Sequence, residues 1–565
     1  MAFVILSCSV PHEAAQAKTI QEEDAMQPYL PQNDPDSVSR QGRLESNRAL
    51  YVFNYNYVPS VPFLDTVPSK ESFSPKYFAE RIASWAILAP NMLAAKTRRL
   101  FDPLDELKEY DDLFVFLPKP GVSKNYRSDE SFGEQRLSGA NPMSVRRIDE
   151  LPEGFPVTDA HLQRVLGSGR SLEQELKEGR VYLLEFPQLA HVDGGAYRNR
   201  RKYLPKPRAL FGWDSTKSRL WPVAIQMVNR PGARVFTPAD PELDWFTAKL
   251  CVQVADANHQ ELGTHFARTH VVMAPFAIVT NRQLADNHPF HLLLKPHFRF
   301  MLYDNELGRT QFIQSGGPVE QMMAGTLEES LGIAKAFYVE WRFDESAFPR
   351  EIAQRKMDSK DVLPHYPFRE DGMRLWLSVK KFVSGYLQLY YKTPDDVVRD
   401  HELQNWAREL TADNGGRVVG MPNKIETVDQ LIDIVTIVIF TCAPLHSALN
   451  FAQYEYIGYV PNMPYAASHP VPENGGVDMK ALMQLLPPYE TAAIQLKWTE
   501  LLTSYHYDRL GHYDEKFEDP PAQALVEQFQ QELDEVEQQI ESDNNSRPVP
   551  YNYLKPSQII NSINT

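Results

Sequence analysis

Three histidines and an asparagine stand at spacings that invite metal chemistry, and the chain ends close to a segment that reads as a buried strap. His265 and His270 lie in THFARTH, and His446 and Asn450 lie in LHSALN. The last residue is Thr565. Imidazole, amide oxygen and carboxylate are donors that suit iron or manganese. The spacing of the first pair is awkward. Five residues on an ideal α-helix turn through about 500°, which leaves the two rings roughly 140° apart. A wider i→i+5 turn brings them towards one face, and such turns concentrate at functional sites. Taken alone, a pair so spaced is more often two ordinary histidines. His446 and Asn450 are four apart and share a face, although a buried histidine can equally be a hydrogen-bonded core residue. Pro444 must distort that helix two residues before His446; a packing kink and an aiming device both fit. HExxH is absent, which counts against a zinc hydrolase. His288, His291 and His297 in HPFHLLLKPHF raise a second-metal reading, against which structural or surface roles are favoured.

The elements that must position these residues are helices. DPELDWFTAKLCVQVADAN predicts a helix with Asp240 as N-cap and Pro241 in its first turn. It continues through His265 and His270 towards Thr280. A second begins near Thr427 and carries His446 and Asn450, and a third opens at Asp519-Pro520 and runs through LVEQFQQELDEVEQQI. Pro548, Pro550 and Pro556 then force an extended tail, and the largely uncharged YNYLKPSQIINSI reads as a strap packed onto the protein. Short strands are predicted at 180–186, 207–213 and 220–228, alternating too poorly with helices for a parallel sheet. The fold class is mainly α, one large helical domain with a few short strands. Residues 1–48 read as a flexible leader and 49–565 as the domain, with the Tyr/Phe/Pro-rich stretch from Tyr51 to Phe73 lying on it.

Composition narrows the function. The 565 residues are 43% hydrophobic, enough for a large core, and carry a formal charge of -16, which argues against nucleic acid. Strong electrostatic docking on anionic lipid is disfavoured too, while a local apolar patch leaves peripheral membrane contact open. Three cysteines make no disulfide framework, so a reducing, cytoplasmic setting is the default. MAFVILSCSV has an apolar run without a preceding basic residue and reads as a variable leader, with a lipoprotein-type signal the minor alternative. LIDIVTIVIFTCAPL reads as a buried core helix rather than a membrane span.

Several segments in order resemble the lipoxygenase family: SDESFGEQRLSGANPM, WPVAIQM, HQELGTHFARTHVVMAPFAIVTNRQLADNHPFHLLLKPHFR, LHSALNFAQYEY and YLKPSQIINSI. The resemblance runs from about residue 50 to the end. It implies one non-haem iron, with manganese as the alternative, held by His265, His270, His446, Asn450 and the α-carboxylate of Thr565. It also implies that Glu261 and Gln453 hydrogen-bond around those ligands. The family mostly ends in isoleucine; because the ligating atoms are main-chain, the threonine puts in doubt only the packing of the tail. The implied activity is dioxygenation of polyunsaturated fatty acids such as linoleate or linolenate. A hydrogen atom leaves a methylene between two cis double bonds, and O2 adds to the resulting radical. The partners implied are the fatty acid and O2, and a monomer lacking the N-terminal β-sandwich of some relatives is expected. Gly308 stands where the family carries alanine or glycine; glycine there implies R products, though a backbone requirement is the alternative. Phe312 replaces a usual leucine and should narrow the pocket or shift the fatty acid. Val319, Met322 and Met323 fall in its lining segment, and Met463 stands where plant members often place an arginine. The nearest alternatives are a manganese enzyme of the same family and a silent lipid-binding relative; the latter would have lost ligands that this chain retains.

Overall fold

The computed structural model describes residues 27–98, 104–513 and 517–565. The cysteine and apolar run near the N-terminus, and the first part of the expected leader, lie outside them.

Helix dominates, at 55% of residues against 7% strand, in accord with the expected class. The elements that bear on the site are α1 (Ser37–Leu50), α2 (Asp129–Ser138), α3 (Glu242–His259), α4 (Val272–Gln283), α5 (Pro318–Met322), α6 (Leu327–Glu340), α7 (Pro367–Tyr390), α8 (Val428–Phe440), α9 (His446–Asn450), α10 (Tyr489–Thr503) and α11 (Pro520–Asn544). A π-helical stretch, Gln260–Val271, joins α3 to α4 without a break, and a shorter one, Thr441–Leu445, joins α8 to α9.

The α8 sequence VDQLIDIVTIVIF is rich in β-branched residues, which are poor intrinsic helix formers. It is helical because burial nearly all round rewards it. Leu431, Ile434, Val435, Val438 and Ile439 are all buried, and Thr427 with Gln430 caps the start reciprocally. The helical run Val428–Tyr456 is long and apolar enough to cross a membrane, but 89% of its most apolar window is buried inside the protein. It is a core helix, as expected. Helix α7 packs along it and against α11, while α6 packs on the π-helical part of the α3–α4 rod.

Strands β3 (Arg146–Arg147), β4 (Val181–Glu185), β7 (Arg208–Asp214) and β8 (Arg219–Gln226) form an antiparallel sheet in that order. Two short ribbons, β1 (Phe53–Asn54) with β2 (Phe63–Leu64) and β5 (Ala196–Tyr197) with β6 (Arg200–Arg201), complete the strands. Helix α2 lies on β8, where Gly133 meets the Leu220 carbonyl so closely that a side chain would collide with it.

Two expectations are corrected. Part of the expected leader is α1, whose Arg40, Leu44 and Asn47 are buried. Arg40 makes two bonds to Glu402, at 2.6 and 2.8 Å, and one to Asp34 at 2.7 Å. The helix is attached mainly by polar groups at helical spacing, so apolar periodicity does not reveal it. Asp240 does not cap α3: its carboxylate turns back to accept from the Thr237 backbone N–H and to pair with Arg234. Glu242 and Asp244 supply negative charge to the first turn instead.

Candidate metal centre

The π-helical stretch resolves the awkward spacing. Along Gln260–Val271 the wider turn brings His265 and His270 onto one face, with ring centroids 5.1 Å apart. His446, the first residue of α9 directly after the second such stretch, lies at 5.4 Å from His265 and 5.1 Å from His270. One nitrogen from each of the three rings lies within 4.8 Å of the others, and all three residues are buried. Pro444 sits inside the π turn just before His446. It has no N–H to donate, which matches a place where the regular ladder is interrupted.

Two of the rings are held from behind. His265 Nδ1 lies 3.3 Å from Glu261 Oε2, and His270 Nδ1 lies 2.9 Å from Asn305 Oδ1. Donation by both Nδ1–H groups leaves Nε2 as the lone-pair nitrogen of each ring. Gln453 Nε2 donates to Asn450 Oδ1 at 3.2 Å, while Asn450 Nδ2 donates to the Leu502 carbonyl at 2.8 Å. Gln453 Nε2 is also 3.5 Å from His265 Nδ1; because that proton goes to Glu261, the Asn450 bond is the one that orients the amide.

The strap delivers the terminus. Asn561 accepts from the Gly511 N–H, donates to Asp508 and to the carbonyls of Arg509 and His512, and receives His297 on its own carbonyl at 2.8 Å. The Asn564 carbonyl accepts from Tyr77 and Arg81. Thr565 is buried, with its hydroxyl donating to the Leu502 carbonyl at 2.7 Å. Its main-chain oxygen bears on the His446 ring, favouring the charged form without forming a well-aligned hydrogen bond. Leu502 thus fixes both Asn450 and Thr565.

The donors fit a metal. Nε2 of His265 and His270 and both ring nitrogens of His446 are buried without a hydrogen-bond partner, which costs free energy unless another group satisfies them. Burial, then the neighbouring His265, pushes His270 down to about 3. Burial and the other two rings hold His446 well below the usual range. Neutral imidazole is the form that binds a metal. The sequence signal missed Asn305, Leu502, Tyr77 and Arg81, none of which stands at a telling spacing from the histidines.

The other histidines have separate partners. His288 meets Asp400 at 2.9 Å and His291 the Leu284 carbonyl at 3.0 Å, while His297 holds Asn561. These are structural roles, as favoured.

Of the candidate channel residues, Val319, Met322 and Met323 are buried, and Phe312 is half-buried with its ring edge-on to Trp498 at 4.8 Å. Gly308 has an ordinary helical conformation, φ −54°, with nothing within 4 Å of where a Cβ would stand. A backbone requirement therefore does not explain this glycine. Lys202 ties the C-terminal end of α5, donating to the carbonyls of Glu320 (2.7 Å) and Met323.

A family model described as lipoxygenase matches residues 108–553. The linoleate 9/13-lipoxygenase of Pseudomonas aeruginosa is 32% identical over 81% of this chain and 70% of its own length. The allene oxide synthase-lipoxygenase protein of Plexaura homomalla is 30% identical over 94% of this chain, which spans only 54% of that protein. Among solved structures, a coral 8R-lipoxygenase superposes with a TM-score of 0.89 at 30% identity, covering 96% of this chain and 83% of that one. A lipoxygenase in complex with arachidonate gives 0.90 at 29% identity, covering 95% and 83%.

Proposed function

The chain belongs to the lipoxygenase family, and from that premise we propose that it is a non-haem iron dioxygenase of linoleate-like polyunsaturated fatty acids, giving R hydroperoxides. Family membership carries the oxidation of polyunsaturated fatty acids by O2. The ligand set, the metal and the product configuration are this chain's own reading. The observation behind it is the convergence of three buried imidazoles, each with at least one nitrogen that has no hydrogen-bond partner.

Bound there by His265, His270, His446, Asn450 and the Thr565 carboxylate, the metal would supply one-electron redox chemistry for removing a hydrogen atom from a bis-allylic methylene. The protein's part is positional. Glu261 and Asn305 fix two ring tautomers, Gln453 and Leu502 aim the Asn450 oxygen, and burial keeps His270 and His446 neutral. Fatty acid plus O2 gives hydroperoxide in balance, so no external reductant is consumed. The space beside Gly308 supports an oxygen path on one side of the pentadiene. The resemblance to proteins named 8R- and 11R-lipoxygenase points the same way.

Oxygen uptake with linoleate, metal analysis of the purified protein and chiral chromatography of the reduced products test this reading. Expected are uptake, one iron per chain and R products. Manganese at one per chain would replace the iron assignment. Absence of uptake by fully metal-loaded protein would leave a silent lipid-binding relative.

A further inference from the structure

The last peptide of the strap is gripped by a helix from near the other end of the chain. Helix Pro75–Ser84 is capped by the Ser74 hydroxyl. Tyr77 and Arg81, four residues apart, share one face of it. Tyr77 is buried and the Arg81 side chain is largely so, while Phe78 and Ile82, one position further on, are exposed. The helix therefore turns its polar pair inward and leaves two apolar residues outside, the reverse of an ordinary surface helix. What draws the pair inward is an acceptor. Tyr77 donates its phenol to the Asn564 carbonyl, and Arg81 Nη1 reaches the same oxygen at 3.1 Å and the Tyr77 oxygen at 2.6 Å. The rings of Phe73, Tyr77 and Trp85 stand around the guanidinium at 5.4, 5.7 and 5.5 Å.

The same grip is tied to a second donor of the metal centre. Arg81 pairs with Asp304 at 3.3 Å, and the next residue, Asn305, holds His270 Nδ1. Both belong to the helix Met301–Leu307, which the chain enters through Phe300 in the left-handed conformation, φ 65°. That conformation is strained for a bulky side chain and persists only where the surroundings over-determine it. Here the Phe300 ring packs on Phe73, Tyr77 and Tyr507, with centroids 5.6, 4.8 and 5.4 Å apart. The preceding Arg299 carbonyl accepts from Ser562 of the strap at 2.8 Å.

We propose that Tyr77 and Arg81 are positioning residues for the Thr565 carboxylate, holding it at the metal centre by fixing the peptide that precedes it. This rests on the reading of that carboxylate as a ligand. The Asn564 carbonyl belongs to the planar unit that ends at the Thr565 nitrogen and α-carbon, so holding its oxygen holds all three. The Thr565 hydroxyl, bonded to the Leu502 carbonyl, fixes the side-chain direction. Anchors on two arms of one α-carbon leave the third arm, the carboxylate, ordered before a metal binds. Arg81 strengthens the first anchor, because its cation on the Tyr77 oxygen polarises the O–H given to Asn564.

The test is metal retention by the metal-loaded protein during timed dialysis against EDTA, read by elemental analysis beside the melting temperature of the stripped protein. Tyr77→Phe keeps the ring and loses the donor. It should speed release about tenfold, the worth of one charge-assisted hydrogen bond. Arg81→Gln should do at least as much. Arg81→Lys should restore most of the retention, because Nη1 alone makes the contacts to Tyr77, Asp304 and Asn564 and an ammonium has three donors. Tyr110→Phe is the matched control, since it removes a buried phenol-to-carbonyl bond, to Pro487 at 2.5 Å, in a separate part of the core. It should lower the melting temperature comparably and leave release unchanged. Release that follows melting temperature alike in Tyr77→Phe and Tyr110→Phe, or release unchanged in Tyr77→Phe, would overturn the proposal; Tyr77→Phe decides the matter if Arg81→Gln fails to fold. A chain extended by one glycine after Thr565, which turns the carboxylate into an amide, tests the ligand reading separately. Faster release there but not in Tyr77→Phe sinks the positioning role alone, and unchanged release there sinks both.

Discussion

At the scale of single residues, the site rests on lone pairs aimed at one point. His446→Ala removes an imidazole whose nitrogens have no other partner. It should abolish oxygen uptake and most bound metal while far-UV circular dichroism stays near wild type. Retention of full metal and full uptake would refute its ligand role. Thr565 gives a finer test. Isoleucine at that position would pack, but the structure gives the threonine hydroxyl its own work on the Leu502 carbonyl. Thr565→Val keeps shape and carboxylate and loses that bond, so it should cost about 1 kcal/mol in thermal unfolding with metal content retained. Deleting Thr565 withdraws the carboxylate by up to about 3.5 Å and should empty the site, read by elemental analysis. At Gly308 the open space and helical φ make alanine acceptable to the fold. Gly308→Ala should leave stability equal or up to about 1 kcal/mol higher while chiral chromatography finds more S product. An unchanged enantiomer ratio would end the stereochemical reading.

At the scale of elements, two π-helical stretches bring three histidines from distant helices together, and a short helix, α5, carries Val319 and Met322, two of the candidate channel residues. What holds α5 is Lys202, whose buried ammonium takes up carbonyls at the helix end. Desolvation lowers that ammonium to about 8, a cost tolerated because the free carbonyls need a donor. Lys202→Met should therefore loosen the pocket wall without touching the metal. The expected result is a larger rise in KM for linoleate than fall in kcat, a broader positional mixture of hydroperoxides and unchanged metal content. A loss of metal equal to the loss of activity would assign Lys202 to the folding of the centre instead.

At the scale of the whole molecule, large burial puts several histidines where protons are unwelcome. His297 is lowered to about 4 by burial, partly opposed by its bond to the Asn561 carbonyl, and burial with the Arg268 charge lowers His259 to about 3. The unfolded chain binds protons on these groups near 6.5, the folded chain only near 4 and 3. Stability is thus complete above about pH 6.5 and falls as the pH drops through that window. His297→Gln keeps an N–H for the strap and removes one such proton. Its unfolding free energy should fall less steeply between pH 6.5 and 4, by about 1.4 kcal/mol per pH unit, in urea titrations followed by circular dichroism. An identical slope would place the acid sensitivity elsewhere.

The amino-acid sequence determined the helices that own the site, because α8 is apolar nearly all round and the α3–α4 rod carries an unbroken helical pattern. It also determined the short strands and, through the family resemblance, pointed to the three histidines that the fold brings together. It did not determine α1, whose docking face is Arg40, Leu44 and Asn47 rather than an apolar stripe. Asp240 looked like a cap by position, but its carboxylate had a better partner in the turn behind it. The tertiary structure alone decided that five-residue spacing becomes one face, since the wider turn persists only where packing supports it, and Gln260–Val271 is buried along most of its length. It alone brought Asn305, Leu502, Tyr77 and Arg81 to the centre. Hydrogen bonds across dozens to hundreds of residues leave no local periodicity, and their donors and acceptors are common residue types and plain backbone carbonyls.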